Sequence, residues 1–136
     1  MRNKIICLLA VLLLGLCPLA SAEDMRFVDA EGFTGYYVDA ETIYISPEGD
    51  ISEACVAVVK ADRNRRYLYR MRFDSKKETY EIFNSEVQAY DTREVLEKSD
   101  LWRAPRHYGI SSPLHSIVSY IYEWQAEQIR ASQKSY

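Results

Sequence analysis

The stretch from Arg66 to Phe83 reads RYLYRMRFDSKKETYEIF. Tyr67, Tyr69, Met71 and Phe73 alternate there with Arg66, Leu68, Arg70 and Arg72. An extended chain would therefore carry an apolar row on one face and a mostly cationic row on the other. After Asp74-Ser75-Lys76-Lys77 the alternation resumes, with Tyr80 and Ile82 on one face and Thr79, Glu81 and Phe83 on the other. With residues 74–77 as a hairpin loop, Met71 opposes Tyr80, Tyr69 opposes Ile82, Leu68 opposes Phe83 and Arg70 opposes Glu81. Like then meets like on both faces, and Arg70 gains a carboxylate. A one-residue slip would send every side chain to the wrong face, so this agreement argues for the pairing.

Outward from the hairpin, turn residues fall at the short intervals of an antiparallel sheet. Gly35–Asp39 and Thr42–Ser46 read as short strands around Ala40-Glu41, and Pro47-Glu48-Gly49-Asp50 reads as a turn. Ser52–Ala61 carries small and β-branched residues on both faces, which suits a central strand. Glu86–Asp91 reads as a further strand, with Val87 and Ala89 facing one way, and residues 92–111 read as irregular. The period then changes. Ser112 followed by Pro113 is a helix start, with Ser112 as the cap. Leu114, Ile117, Val118, Ile121, Tyr122 and Gln125 recur at helical spacing as one apolar stripe to about Trp124, with a polar tail beyond. A lone amphipathic helix needs a surface to cover, and the sheet is the one on offer. The expected fold is α+β: a single antiparallel sheet of about six strands with a C-terminal helix packed on one face.

The start of the chain has a different character. Arg2 and Lys4 precede the apolar run Ile5–Leu14, then Gly15 and Pro18, and Ala20-Ser21-Ala22 supplies small residues for cleavage before Glu23. That order predicts a signal peptide over residues 1–22 and export to the periplasm or the cell surface. The apolar core is about half the length of a spanning helix, so no transmembrane span is expected after cleavage. Cys17 is read as unacylated because the bulky Leu16 precedes it. Residues 23–136 then form one small domain with room for one core. The leader takes two of the 17 cations and none of the 20 acids, moving the formal charge from −3 to −5. An acidic chain is a poor general ligand for nucleic acid, and no nucleic-acid partner is expected. Cys55 alone of the three cysteines lies outside the leader, and inside an apolar strand it reads as a buried, inert thiol.

Arg63, Arg65, Arg66, Arg70 and Arg72, with Lys76 and Lys77, form the strongest candidate binding surface. With neighbouring tyrosines they suit an anionic polymer or an acidic patch on a protein. The competing reading is a solvated sheet face neutralised by Glu78 and Glu81. Tyr36, Tyr37 and Tyr44, near an expected sheet edge, suit recognition or contact with a second copy, since a tyrosine ring can be covered while its hydroxyl stays wet. The two histidines, His107 and His115, lack the close helical spacing of a zinc motif. No G-x-S-x-G elbow or glycine-rich phosphate loop is present. The chain is therefore read as a non-enzymatic module without cofactor.

The run Gly35–Ile43, the strand Val56-Ala57-Val58-Val59, the segment Tyr80-Glu81-Ile82-Phe83 and the closing helix from Pro113 together resemble the surface-adhesin protein E family of exported bacterial proteins. The resemblance runs from about Phe33 to Trp124. It implies a curved antiparallel sheet with a C-terminal helix against it, and attachment to host extracellular-matrix components. The cysteine pair that ties helix to sheet in the family's namesake is replaced here by Ser85 and Tyr122, so docking through Leu114, Ile117 and Ile121 is expected instead. A periplasmic envelope structural or maintenance protein is the competing function.

Overall fold

The computed structural model describes residues 23–135, so the expected leader lies outside them. The chain order is β1 (Met25–Glu31), β2 (Thr34–Asp39), β3 (Tyr44–Ile45), β4 (Ile51–Lys60), β5 (Arg65–Asp74), β6 (Thr79–Ala89), β7 (Val95–Ser99), β8 (Arg103–His107) and α1 (Ser112–Gln133). The strands form one antiparallel sheet in the order β1-β2-β4-β5-β6-β7, with β3 beside β4 and β8 beside β6. The fold is α+β, as expected. β1, β7 and β8 are strands that the sequence pattern did not announce.

The hairpin pairing differs from expectation. The turn is Ser75–Glu78, and Asp74 stays in the ladder opposite Thr79. Asp74 accepts from the backbone amides of Lys76 and Lys77, both at 3.0 Å, and Glu78 takes a left-handed φ of 53°. That side-chain-capped turn moves the pairing by two residues. Met71 now faces Ile82, Phe73 faces Tyr80, and Arg72, not Arg70, faces Glu81. A shift of two leaves every residue on its expected face. A bulge then places Arg70 opposite Asn84 and leaves Phe83 as the extra residue. It also explains why the two strands expected over 78–83 and 86–91 are one: the bulge absorbs the break in alternation.

The core lies between the sheet and α1. Val38, Ala54, Val56, Met71, Phe73 and Ile82 project from the strands, and Ile117, Val118 and Ile121 from the helix. Leu114 and Tyr122 pack at the margin, so the expected stripe is the docking face. Two polar contacts pin the helix as well: Ser116 Oγ donates to Asp29 Oδ2 at 2.8 Å and the Tyr122 hydroxyl to the Gly49 carbonyl at 2.7 Å. The cap is Ser111, one residue earlier than expected, and it makes no side-chain capping bond. From Ala126 onward α1 is exposed. Among the described residues no helix is long and apolar enough to cross a membrane.

Candidate functional site on the helix-free face

Because side chains alternate across a strand, each residue between two core positions points to the face that α1 does not cover. That face carries Tyr37 from β2, Glu53, Cys55, Ala57 and Val59 from β4, and Arg66, Leu68, Arg70 and Arg72 from β5. Phe27 joins from β1, its ring edge-on to Tyr37 at 5.6 Å.

The sheet curls toward this face. One cavity of about 370 Å³ is lined both by Glu23, Asp24 and Met25 at the β1 edge and by Tyr90 and Arg93 after β6. In a flat sheet, β1 and β6 would stand about 19 Å apart, four strand spacings. Residues from both edges nevertheless line one cavity, which points to a sheet bent toward this face. Bulges in β1–β2, β5–β6 and β6–β7 supply bending points. At the floor are Ala57, 1% exposed although α1 lies on the other face, and Arg66, 4% exposed.

Arg66 is the one buried cation among the described residues. Its Nη1 and Nη2 donate to the Glu23 carboxylate, and Nη1 also donates to Gln88 Oε1 at 2.9 Å. Gln88 Nε2 in turn donates to Glu86 Oε2 at 2.6 Å, and Lys98 Nζ lies 3.4 Å from Glu86 Oε1. Donors and acceptors thus alternate from Lys98 to Glu23. At the mouth, Arg93, with a left-handed φ of 64°, holds its guanidinium 5.2 Å from the Tyr90 ring centroid.

A smaller cavity of about 250 Å³ lies along the same face, with Asp39, Glu53, Cys55, Arg70 and Asn84 among its walls. Burial pushes the Cys55 thiol up to about 11; Asp39 and Glu23 add to the shift, and Arg66 and Arg70 oppose it. Arg72 Nε donates to Glu53 Oε1 at 2.8 Å, and its guanidinium sits 4.8 Å from the Phe83 ring centroid.

The structure divides the expected binding residues. Arg66, Arg70, Arg72 and Tyr37 share the helix-free face. Arg65 projects from the other face and donates to the Asn64 carbonyl, while Arg63 stands exposed in the 3₁₀ turn before β5. Tyr36 packs toward the core, where burial raises its hydroxyl pKa and Glu31 and Asp29 add to the shift. Neither Tyr36 nor Tyr37 lies at an edge, because β1 pairs outside β2. Glu53 and Glu23, not Glu78 and Glu81, neutralise the arginines. Glu81 instead accepts from Trp102 Nε1 at 3.0 Å. Trp102 and Leu101 are exposed beside β8. Sequence reasoning missed Gln88 because the Phe83 bulge sets the register that puts it opposite Arg66, and missed Glu23 and Arg93 because they lie far from β5 in the chain and join Arg66 only around the cavity. Among the described residues no three His, Cys, Asp or Glu side chains converge as a metal site would require, at His107 and His115 or elsewhere.

No family model, characterised protein or solved structure matches the chain.

Proposed function

We propose that this chain is an exported, non-enzymatic binding module whose ligand surface is the helix-free face of the sheet. One observation supports the reading: α1 covers one face, while the opposite face carries the row Arg66, Arg70 and Arg72, with a cavity at Arg66 and a second at Arg70. A cationic row flanked by Tyr37 and Phe83 suits an anionic polymer or an acidic protein surface, and electrostatic attraction would speed the encounter. Arg66 and Arg72 on it are engaged in ion pairs, and the Cys55 thiol is held protonated at neutral pH. That chemistry favours holding a ligand over transforming one. The resemblance to surface-adhesin protein E makes host extracellular matrix the first ligand source to try.

Arg70 is exposed and Arg72 half-exposed, so both can reach a ligand without unfolding the sheet. Residues 23–136 should be retained on immobilised heparin at low salt, and an Arg70→Gln/Arg72→Gln double variant should elute at clearly lower salt. Equal elution of the two proteins would remove this face as the ligand surface. Protease shaving of intact cells then separates the two locations: loss of the protein supports a surface adhesin, and protection supports an envelope component facing the periplasm.

A further inference from the structure

We propose that the Arg66 cavity is a receptor site for the carboxylate side chain of an extended acidic peptide, and that Glu23 fills it as an internal substitute for that ligand. The inference rests on the helix-free face being a binding surface, and it names the chemistry taken at one end of that face.

Arg66 requires an anion. Its side chain is 5% exposed, and Glu23 is the one charged partner it has among the described residues. A guanidinium this far from water is strongly disfavoured without a carboxylate to pair with. Arg66 is also held independently of Glu23. Gln88 grips Nη1 at 2.9 Å and is itself oriented by Glu86, so the guanidinium keeps its aim when the carboxylate leaves. A preset charge donor of this kind is how a site fixes a carboxylate without ordering itself on binding.

Glu23, by contrast, is loosely placed. Its side chain is 45% exposed, and among the described residues its carboxylate bonds only to Arg66. The next residue is fixed: the Asp24 amide donates to Asp39 Oδ1 at 3.1 Å, and the Asp24 carbonyl accepts from the Ala40 amide at 2.9 Å. The occupant can therefore swing out by its own rotation while β1 stays in the sheet.

The cavity extends past the carboxylate. Its volume of about 370 Å³ has an apolar floor of Ala57 and Val59, aromatic walls from Tyr37 and Tyr90, and a second cation, Arg93, at the mouth. Among the described residues β1 is the outermost strand, so its outer edge beside the cavity offers main-chain donors and acceptors to an extended segment. A glutamate on the main chain already sits there, which favours a peptide over a polyuronate.

The test uses a Glu23→Ala variant and the capped peptide acetyl-Ala-Glu-Asp-Met-amide, which copies residues 22–25, with its glutamine counterpart as control. Removing the internal competitor should raise affinity for the acidic peptide by at least about tenfold over the unmodified domain. The glutamine peptide should show no gain, and Glu23→Ala/Arg66→Gln should bind neither. Millimolar glutarate should raise the melting temperature of Glu23→Ala while leaving that of the unmodified domain in place. Should Glu23→Ala not fold, Glu23→Gln keeps the size and removes the charge, and the same readings apply. The proposal is overturned if affinity does not rise, if the glutamine peptide binds equally, if binding survives loss of Arg66, or if polyuronate binds and the peptide does not. Heparin retention reads Arg70 and Arg72, so its failure and the failure of the Arg66 site are seen separately.

Discussion

The two faces of the sheet are made by alternate residues of the same strands, yet they are built on different physics. Under α1, Val38, Val56, Met71, Phe73 and Ile82 meet Ile117, Val118 and Ile121, and burial there is non-directional. On the helix-free face the large side chains are Arg66, Arg70, Arg72 and Tyr37, set among the small Cys55, Ala57 and Val59. Their contacts are directional and paired: Arg66 with Glu23, and Arg72 with Glu53. The first face accounts for cohesion, and the second is the proposed ligand surface. Arg66 belongs to both, because it is a charge buried on the open side, gripped by Gln88 and neutralised by Glu23.

The sharpest way to break the contrast is to shorten one side chain on each face. Ile121 is 0% exposed beneath the sheet, so Ile121→Ala should cost about 3 kcal/mol in urea unfolding, lost transfer energy plus a cavity. The exposed Arg70→Gln should stay within about 0.5 kcal/mol. An Ile121→Ala cost below about 1 kcal/mol would mean that α1 does not seal the core.

The helix-covered face was legible in the sequence and the helix-free face only partly so. Tyr69, Met71, Phe73 and Ile82 announce their face by strict alternation, and Ile117, Val118 and Ile121 by helical spacing. Both are local periodicities, which a reader of one chain can see. The hairpin register was not legible, because Asp74 can either join the turn or cap it from the ladder, and the Phe83 bulge leaves no local mark. β1 was missed because Arg26, Phe27, Asp29 and Glu31 break any period, and β7 and β8 because they are exposed on both sides. At the candidate site the arginine row on β5 was readable, but its separation into buried Arg66 and exposed Arg70 was not. That separation depends on Glu23 and Gln88, 43 and 22 residues away from Arg66 in the chain.

A second test reads desolvation on the helix-free face. Burial lifts the Cys55 thiol from 9.0 to about 11, with Asp39 and Glu23 raising it further and Arg66 and Arg70 pulling the other way. The folded pKa lies above the unfolded one, so the fold favours the neutral thiol. Its contribution is complete below about pH 9 and is lost as the pH climbs through 11. Two pH units correspond to at most about 2.7 kcal/mol, and on the order of 2 kcal/mol is expected for a thiol that keeps some exposure. Between pH 9 and 11 the unmodified domain should therefore lose about that much more stability than Cys55→Ala. Tyr36 and Tyr69, also raised by burial, titrate in both proteins and cancel. Parallel curves would show that the thiol is hydrated and that the face is more open around β4 than its geometry indicates.

The smallest expected effect has the opposite sign and belongs to the helix-covered face. Ser52 lies on β4 between Ile45 and Phe73, 0% exposed, and among the described residues its hydroxyl has no hydrogen-bond partner. On an apolar face an unbonded hydroxyl loses its hydration and gains nothing in return. Ser52→Ala removes that oxygen and leaves the strand otherwise unchanged, so the domain should gain up to about 1 kcal/mol in urea unfolding. Removing a polar group from the other face, at Arg66, should do the reverse, since Glu23 and Gln88 would lose the donor they share. A loss of stability in Ser52→Ala would mean that the hydroxyl finds an acceptor in solution. The covered face would then hold directional contacts of its own, and the division of labour between the faces would be one of degree.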